Sequence, residues 1–348
     1  MIKKMKSYFV DQPASYLPKF KLLKNKKFDK IKKRKIYTFG NKNKNKIFYV
    51  INRSPGAGFF SNLNFVLNYI LYAKKKNYTP IIDMENFPTI YNEEKEIFNN
   101  LNAWEYYFKK ISRYKLSEVY QSKNVIFSTP FLKKGMTLDI STNKEFLKIK
   151  KMIKIKNIYN KIAKRFVKNN FKINKNILGV HLRGTTYKVA RNHPFPVPKE
   201  MMANIVKQII KKEKIDKIFL CTEDENYLDY FKKIFRKKLI FFRCYRTNKT
   251  DAFNVYPRTN HRYKLGKEIL IETLILSNCK NLVFVNSNVI DAVIYFSKKK
   301  QKKYEIFLGK NSSNKLVARR LWSIKNFLPY FLGGFNNNIK INNLQHKN

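Results

Sequence analysis

Between residues 176 and 308 the chain alternates short, continuous apolar runs with longer amphipathic stretches, and no other feature restricts its fold as much. NILGVHL (176–182), DKIFLCT (216–222), KLIFFRC (238–244), NLVFVN (281–286) and YEIFL (304–308) have the length and unbroken apolarity of strands buried on both faces. Between the first two, KEMMANIVKQIIKKE (199–213) sets Met202, Ile205, Ile209 and Ile210 on one side of a helix, and 225–235, 264–278 and 288–298 also read as helices. Parallel strands need such crossovers, so the pattern predicts a doubly wound α/β domain that binds ligands at the carboxyl ends of its strands.

A shorter version of the pattern precedes it. KIFYVIN (46–52) reads as a strand, followed by the small-residue turn Ser54–Gly58. Phe60, Leu63, Leu67, Ile70 and Leu71 then recur at helical spacing, and TPIIDM (79–84) is a second strand ending in Asp83. Residues 85–150 show no clean period, and a basic helix (IYNKIAKRFVKNN) begins near 155. The expected organisation is a basic lead-in at 1–45, an N-terminal Rossmann-like domain at 46–160, a C-terminal Rossmann-like domain at 161–310 and a tail at 311–348. Two Rossmann-like domains facing a cleft would hold a ligand between them.

Composition narrows the class. The chain of 348 residues is 44% hydrophobic and 15% aromatic, which supports a core and excludes disordered, collagen-like and disulfide-rich classes. Cys221, Cys244 and Cys279 sit in apolar runs without CxxC spacing, as buried thiols of a reducing compartment do, and no metal site is expected. No run of about 18 apolar residues and no signal-peptide pattern is present, so the expected location is cytoplasmic. The net charge of +51 favours anionic partners: nucleotides, acidic lipid or nucleic acid. Heavy use of Lys, Asn and Ile gives codon bias an equal claim on that charge.

The sharpest motif is GVHLRGTTYK (179–188), where a buried strand abruptly presents His181, Arg183, Gly184, Thr185 and Thr186. A guanidinium fork can grip two phosphate oxygens, the hydroxyls add donors, and Gly184 admits close backbone approach. The plainer alternative is a strand-end arginine paired with a carboxylate.

This motif resembles the G-V-H-x-R-R-T-D-K signature of α1,6-fucosyltransferases and the rhizobial nodulation fucosyltransferases. KIFLCTED (217–224) is similar to the family's strand ending in T-D-D, and the segment 260–296 to its H-N-R-Y…L-D…L-S…S-S-x-V stretch. In the first half, GAGFFSNLNFVL, PIIDMEN and NAWEYYF resemble landmarks of bacterial relatives. The resemblance runs over most of 48–300. It implies a GT-B-like fold and an inverting transferase that takes fucose from GDP-fucose and needs no metal or other cofactor. By that resemblance Arg183 contacts the pyrophosphate, Glu223 and Asp224 line the nucleotide site, Glu272 stands where the family has its Asp, and Ser287 hydrogen-bonds a phosphate. His181, Gly184, Thr185, Thr186, Asn288 and Arg262 would accompany them, and Gly56, Gly58, Phe59, Asn62 and Asp83 would lie on the acceptor side. The N-terminus of a helix opening at Ser287 and Asn288 would add to the neutralisation of the leaving diphosphate.

Departures bear on the general base. The family's second Arg is Gly184, its T-D is Thr185-Thr186, and the following loop carries Arg191 and Asn192 in place of an acid. Asp224, Glu223, Asp83, Glu85, Glu105 and His193 remain as candidates. The Gly56–Gly58 turn suits either a ligand or a plain tight turn, and Trp104, Tyr106, Tyr107 and Phe108 suit either a sugar or the core. The stretch 316–335 joins basic residues to a Trp/Phe/Leu face. It reads as an interfacial helix on an anionic membrane or as a helix packed on the first domain. The expected acceptor is a glycan or lipid-linked oligosaccharide in cell-surface polysaccharide or glycolipid synthesis. The rival readings are transfer of another nucleotide-activated sugar and a basic nucleic-acid-binding protein. The latter lacks any recognisable binding motif, so no nucleic acid is expected.

Overall fold

A computed structural model describes residues 35–53, 58–129, 145–171, 175–248, 252–253, 255–335 and 343–344. The chain divides into two compact units, one comprising Met1–Asn160 with Phe253–Ile269, the other Lys161–Ala252 with Leu270–Asn348.

The first unit is built on a three-stranded parallel sheet in the order β2-β1-β3, with β1 at Phe48–Ile51, β2 at Thr79–Ile82 and β3 at Val125–Phe127. Helix α1 (Phe59–Lys75) joins β1 to β2 and is apolar on nearly every side; twelve of its seventeen residues are buried, as in a helix enclosed by its own domain. Phe48, Val50, Ile81, Val119, Val125 and Phe127 form a second apolar cluster. Tyr37 and Phe39 cover that cluster, and Tyr37 exchanges both backbone hydrogen bonds with Val125 (2.8 and 2.9 Å). The stretch expected to be a lead-in to residue 45 thus enters the fold by residue 37, because two partly buried aromatic rings pack on the cluster there. The rest of the unit is carried by short helices, α2 (Ala103–Tyr107), α3 (Leu116–Val119) and α4 (Glu145–Ile149).

The second unit holds a six-stranded sheet in the order β6-β5-β4-β7-β8-β9. Its strands are β4 (Ile177–His181), β5 (Lys217–Cys221), β6 (Leu239–Phe241), β7 (Asn281–Phe284), β8 (Lys302–Glu305) and β9 (Asn343–Leu344). All pairings are parallel except β8 with β9. Alternation of side chains divides the sheet cleanly. Leu178, Val180, Leu182, Ile218, Leu220, Val283 and Tyr304 enter one core with helices α6 (Lys199–Glu213) and α7 (Glu225–Phe235), and with Leu321 and Trp322 of α10 (Lys315–Phe327). On the opposite face Phe166 of α5 (Asn157–Asn170) packs on Phe219, while Gly179 lies against Leu276 and Cys279, where a methyl group would collide. The strand order reverses between β4 and β7, and the carboxyl ends of the strands at such a reversal are where open α/β sheets bind ligands.

Helix α8 (His261–Leu276) begins in the first unit and ends in the second. Its first turns belong to the first unit because Glu93, itself buried, accepts hydrogen bonds from the Tyr263 backbone N–H (2.8 Å) and the Tyr256 hydroxyl (2.9 Å). Tyr107 donates to the Tyr263 carbonyl (3.0 Å), and Gly266 sits where any side chain would meet the Tyr107 hydroxyl. Residues 253–269 therefore leave the domain expected over 161–310. The expected tail at 311–348 likewise joins the second unit, through α10 and Phe335.

Candidate functional site

Three strand ends converge on the reversal in the second unit. Beyond β4 the chain runs through Leu182 and Arg183 to Gly184 and a 3-10 turn over Thr185–Lys188; beyond β5 it reaches Glu223 and Asp224; beyond β7 it reaches Ser287 and α9 (Asn288–Phe296). The turn cannot carry a side chain at position 184, since a Cβ there would overlap the Asp224 carboxylate.

Two carboxylates organise the turn. Glu223 Oε1 accepts from the Gly184 N–H (3.1 Å) and the Thr185 hydroxyl (3.3 Å), and stands 3.5 Å from Arg183 Nε. The simple pairing of a strand-end arginine with a carboxylate is thus present, yet neither partner is sealed off: the side chains are 27% and 35% exposed. The Arg183 guanidinium also lies 3.7 Å over the Tyr187 ring, which fixes its plane. Asp224 is buried and its oxygens are engaged: it caps α7 through the Tyr227 N–H (3.4 Å), accepts from the Thr185 N–H (3.4 Å) and pairs with Lys188 (3.2 Å). Its place is structural support beneath the turn.

On the β7 side, Ser287 occupies the N-cap of α9, but its hydroxyl makes no capping bond and is buried without a hydrogen-bond partner among the described residues. His181 Nδ1, at the end of β4, is likewise buried and without one. Burial and the Arg183 charge lower the His181 pKa to about 3, so the ring is neutral and offers Nδ1 as donor or acceptor according to its tautomer. Buried polar groups are normally paired; of the eight buried side-chain atoms without a hydrogen-bond partner among the described residues, these two lie at the strand ends that flank the order reversal. His193 packs by its ring against Tyr187 (5.1 Å), and its surroundings together with Arg183 lower its pKa. Thr186 lies within the 3-10 turn and Asn288 is the first residue of α9.

Glu272 is placed deeper than expected. Its carboxylate accepts from Arg246 (3.1 Å) in a buried ion pair and from the Cys221 thiol (3.5 Å), and burial with the Glu272 charge pushes that thiol pKa well up. Arg246 also donates to the carbonyls of Thr222 (3.0 Å), Phe242 (3.0 Å) and Cys244 (3.3 Å), tying the ends of β5 and β6 to α8. Sequence reasoning passed over Arg246, as it did Tyr187 and Lys188. The run RCYRTNK has no period to mark the first, and the other two look like ordinary residues after a motif.

The remaining expected residues lie in the first unit. Arg262 is buried there, donates from Nε to the Phe253 carbonyl (3.2 Å) and lies 5.4 Å from the Tyr256 ring, and its Nη1 has no hydrogen-bond partner among the described residues. Asp83, at the carboxyl end of β2, accepts from the Glu85 N–H (3.1 Å), the Asn86 N–H and amide (both 2.8 Å) and the Tyr120 hydroxyl; burial raises its pKa. Glu105 accepts from Asn100 (2.9 Å), and burial raises its pKa; Glu85 is raised by partial burial and then by the Asp83 and Glu105 charges. Gly58 caps α1 with open space where a side chain would stand, Asn62 is buried one turn on, and Phe59 is a core residue, packed edge-on against Tyr107 (4.8 Å). Trp104, Tyr106, Tyr107 and Phe108 are buried as well. Gly56 lies outside the described residues. Among the described residues no three His, Cys, Asp or Glu side chains gather as a metal site.

No protein-family profile matches the chain, and no curated protein matches its sequence. Among solved structures it is similar to NodZ alpha-1,6-fucosyltransferase co-crystallised with GDP, at 15% identity and a TM-score of 0.47, over 75% of this chain and 95% of that one. It is similar to fucosyltransferase NodZ from Bradyrhizobium at 16% identity and a TM-score of 0.47, over 76% and 95% of the two chains. For POFUT1 in complex with GDP the values are 10% and 0.46, over 75% and 98%.

Proposed function

We propose that the protein is a cytoplasmic glycosyltransferase of GT-B type. In this reading it transfers fucose from GDP-fucose, with inversion and without a metal ion, to a glycan or lipid-linked acceptor in cell-surface polysaccharide or glycolipid synthesis. The observation that carries the proposal is the pairing of an accessible, ring-stacked Arg183 with a buried Ser287 hydroxyl that has no partner among the described residues, at the N-cap of α9, on either side of the strand-order reversal. A fork donor, a hydroxyl and a helix N-terminus together suit a diphosphate, and the resemblance of GVHLRG, TED and 260–296 to GDP-sugar enzymes supports guanine as the base.

In the reaction the acceptor oxygen bonds to the anomeric carbon as the bond from that carbon to the β-phosphate oxygen breaks, and the electron pair leaves with the nucleoside diphosphate. Arg183, Ser287 and the first turn of α9 stabilise that developing charge. Glu223 and Asp224 hold the turn that presents Arg183, and Glu272 acts through Arg246 on the ends of β5 and β6. The acceptor proton passes to a carboxylate with an accessible edge, for which Glu223 is the candidate within the second unit.

Thermal-shift titration with GDP, UDP, ATP and a duplex oligonucleotide tests the reading. GDP is expected to raise the melting temperature most. Equal stabilisation by UDP would remove the guanine assignment, and stabilisation by the duplex alone would favour nucleic-acid binding. Transfer from GDP-fucose should persist in EDTA; loss restored by Mn²⁺ would overturn the metal-free mechanism.

A further inference from the structure

Helix α10 carries two apolar faces. One is spent inside the second unit: Ala318 is buried, Leu321 and Trp322 pack on the core, and the Trp322 indole donates to the Pro196 carbonyl (2.7 Å). The other faces outward. Leu316, Val317, Ile324 and Phe327 lie on one side of the helix, and Phe327 is 87% exposed and Leu316 73%.

The chain then adds to that face. After Pro329 a 3-10 turn displays Tyr330, Phe331 and Leu332, with Phe331 83% exposed. The turn is built rather than frayed. Lys325 donates to the Gly333 carbonyl (2.6 Å), and the Phe335 N–H returns to the Lys325 carbonyl (2.9 Å). Gly333 adopts φ of +85°, and Gly334 passes where a side chain would strike the Leu328 carbonyl. Two glycines and these bonds hold three large apolar side chains in water, continuous with the exposed face of α10.

Charge decides what the face meets. From Ile306 to Asn348 the sequence has seven Lys or Arg and no Asp or Glu. Arg319 and Arg320 lie on α10 itself, Arg320 between Leu316 and Phe327 on the outward side, and Lys315 opens the helix. Two copies of such a face would repel, whereas an anionic lipid surface would attract it. Aromatic and leucine side chains ringed by Arg and Lys are the composition of helices that lie in the headgroup layer.

We propose that the outer face of α10 and the 330–332 turn form a membrane-docking surface, seating Leu316, Phe327 and Phe331 in the headgroup region of an anionic bilayer with Arg319 and Arg320 on lipid phosphates. The surface is independent of the donor reading, and binding of GDP reports on that separately.

Co-sedimentation of the full chain with phosphatidylcholine vesicles, with and without phosphatidylglycerol, tests it. Binding is expected only with phosphatidylglycerol and should weaken as salt rises. The double substitution Phe327→Ser with Phe331→Ser should lower partitioning roughly tenfold or more, and Arg319→Gln with Arg320→Gln about fivefold per charge. Melting temperature should be unchanged in both variants, because these side chains make no core contact. Equal binding to neutral vesicles, no binding at low salt, or full binding by the Phe double variant would each overturn the proposal. So would a concentration-dependent dimer in sedimentation velocity that the Phe variant abolishes, which would assign the face to a second copy.

Discussion

Asp83 and Ser287 stand at equivalent places, each just past the carboxyl end of a parallel strand, one in each unit. Asp83 receives hydrogen bonds from Glu85, Asn86 and Tyr120 and is shut away from solvent. Ser287 is buried as well, with 9% of its surface exposed against none for Asp83, and its hydroxyl makes no hydrogen bond among the described residues. A saturated polar group closes its own turn and asks nothing of a ligand; an unsatisfied one has already met the desolvation cost that a bound ligand would offset. By this criterion Asp83 belongs to the architecture of the first unit, whereas Ser287 and His181 keep the hydrogen-bonding capacity that the proposed donor site calls on.

The largest effect should come from breaking the saturated side. Asp83→Ala would strand the Tyr120 hydroxyl and the Asn86 donors in a buried place, and we expect a loss of about 3 kcal/mol or more in unfolding free energy, since each orphaned donor costs about 1–3 kcal/mol. Chemical denaturation measures it. A change under about 1 kcal/mol would show that the turn does not depend on this carboxylate and reopen Asp83 as an acceptor-side group.

Arg183→Lys addresses the other side. The ammonium keeps the charge but loses the planar fork and its stacking on Tyr187, so the expected cost is about 1.5–3 kcal/mol in GDP affinity. Unfolding free energy should hardly move, because Arg183 and Glu223 are partly exposed and such pairs contribute little. Isothermal titration with unchanged affinity would remove Arg183 from the site.

How far these two sides could be read from sequence differs for a physical reason. Helices 199–213 and 225–235 match α6 and α7 residue for residue, and β4, β5, β6 and β7 fall within the expected runs, because a domain buried on both faces writes its period plainly; β8 lies at Lys302–Glu305, overlapping the expected 304–308 by two residues, and β9 is a two-residue edge strand that no apolar run marks. Strand β3 was not visible. It has three residues, and its role depends on Tyr37 and Phe39 arriving from elsewhere. The transfer of 253–269 to the first unit rests on Glu93 bonding Tyr263, 170 residues away, which no local pattern encodes. At the site, Arg183, Gly184, Glu223 and Asp224 were legible because polar residues interrupt apolar strands. The burial of Glu272 against Arg246 was not, nor was the orphaned state of Ser287, since satisfaction of a hydroxyl is a property of three dimensions.

Acidity separates the sides by sign. His181 has a folded pKa of about 3, below the unfolded value of about 6.5. Its contribution is complete above pH 6.5 and declines as pH falls toward 3, because the unfolded state takes up a proton that the native state refuses. Asp83, with its pKa raised by burial, acts in the opposite sense: the native state takes its proton first, so acidification through that range favours folding. Between pH 6.5 and 4.5 the His181 slope should be on the order of 1 kcal/mol per pH unit, and His181→Gln should flatten the profile relative to the parent. An unchanged profile would mean that His181 is solvated or paired.

The smallest effect is the sharpest test of the comparison. The Ser287 hydroxyl has no hydrogen-bond partner among the described residues, so Ser287→Ala removes an unsatisfied buried group and should leave stability unchanged or raise it by a few tenths of a kcal/mol. A diphosphate seated at the α9 N-terminus would lose one hydrogen bond, and GDP affinity should fall by about 1–2 kcal/mol. Measuring both quantities on one variant distinguishes the possibilities. A fall in affinity at constant stability identifies a ligand donor. A loss of stability at constant affinity would show that the hydroxyl caps α9 in solution, and the contrast with Asp83 would then vanish.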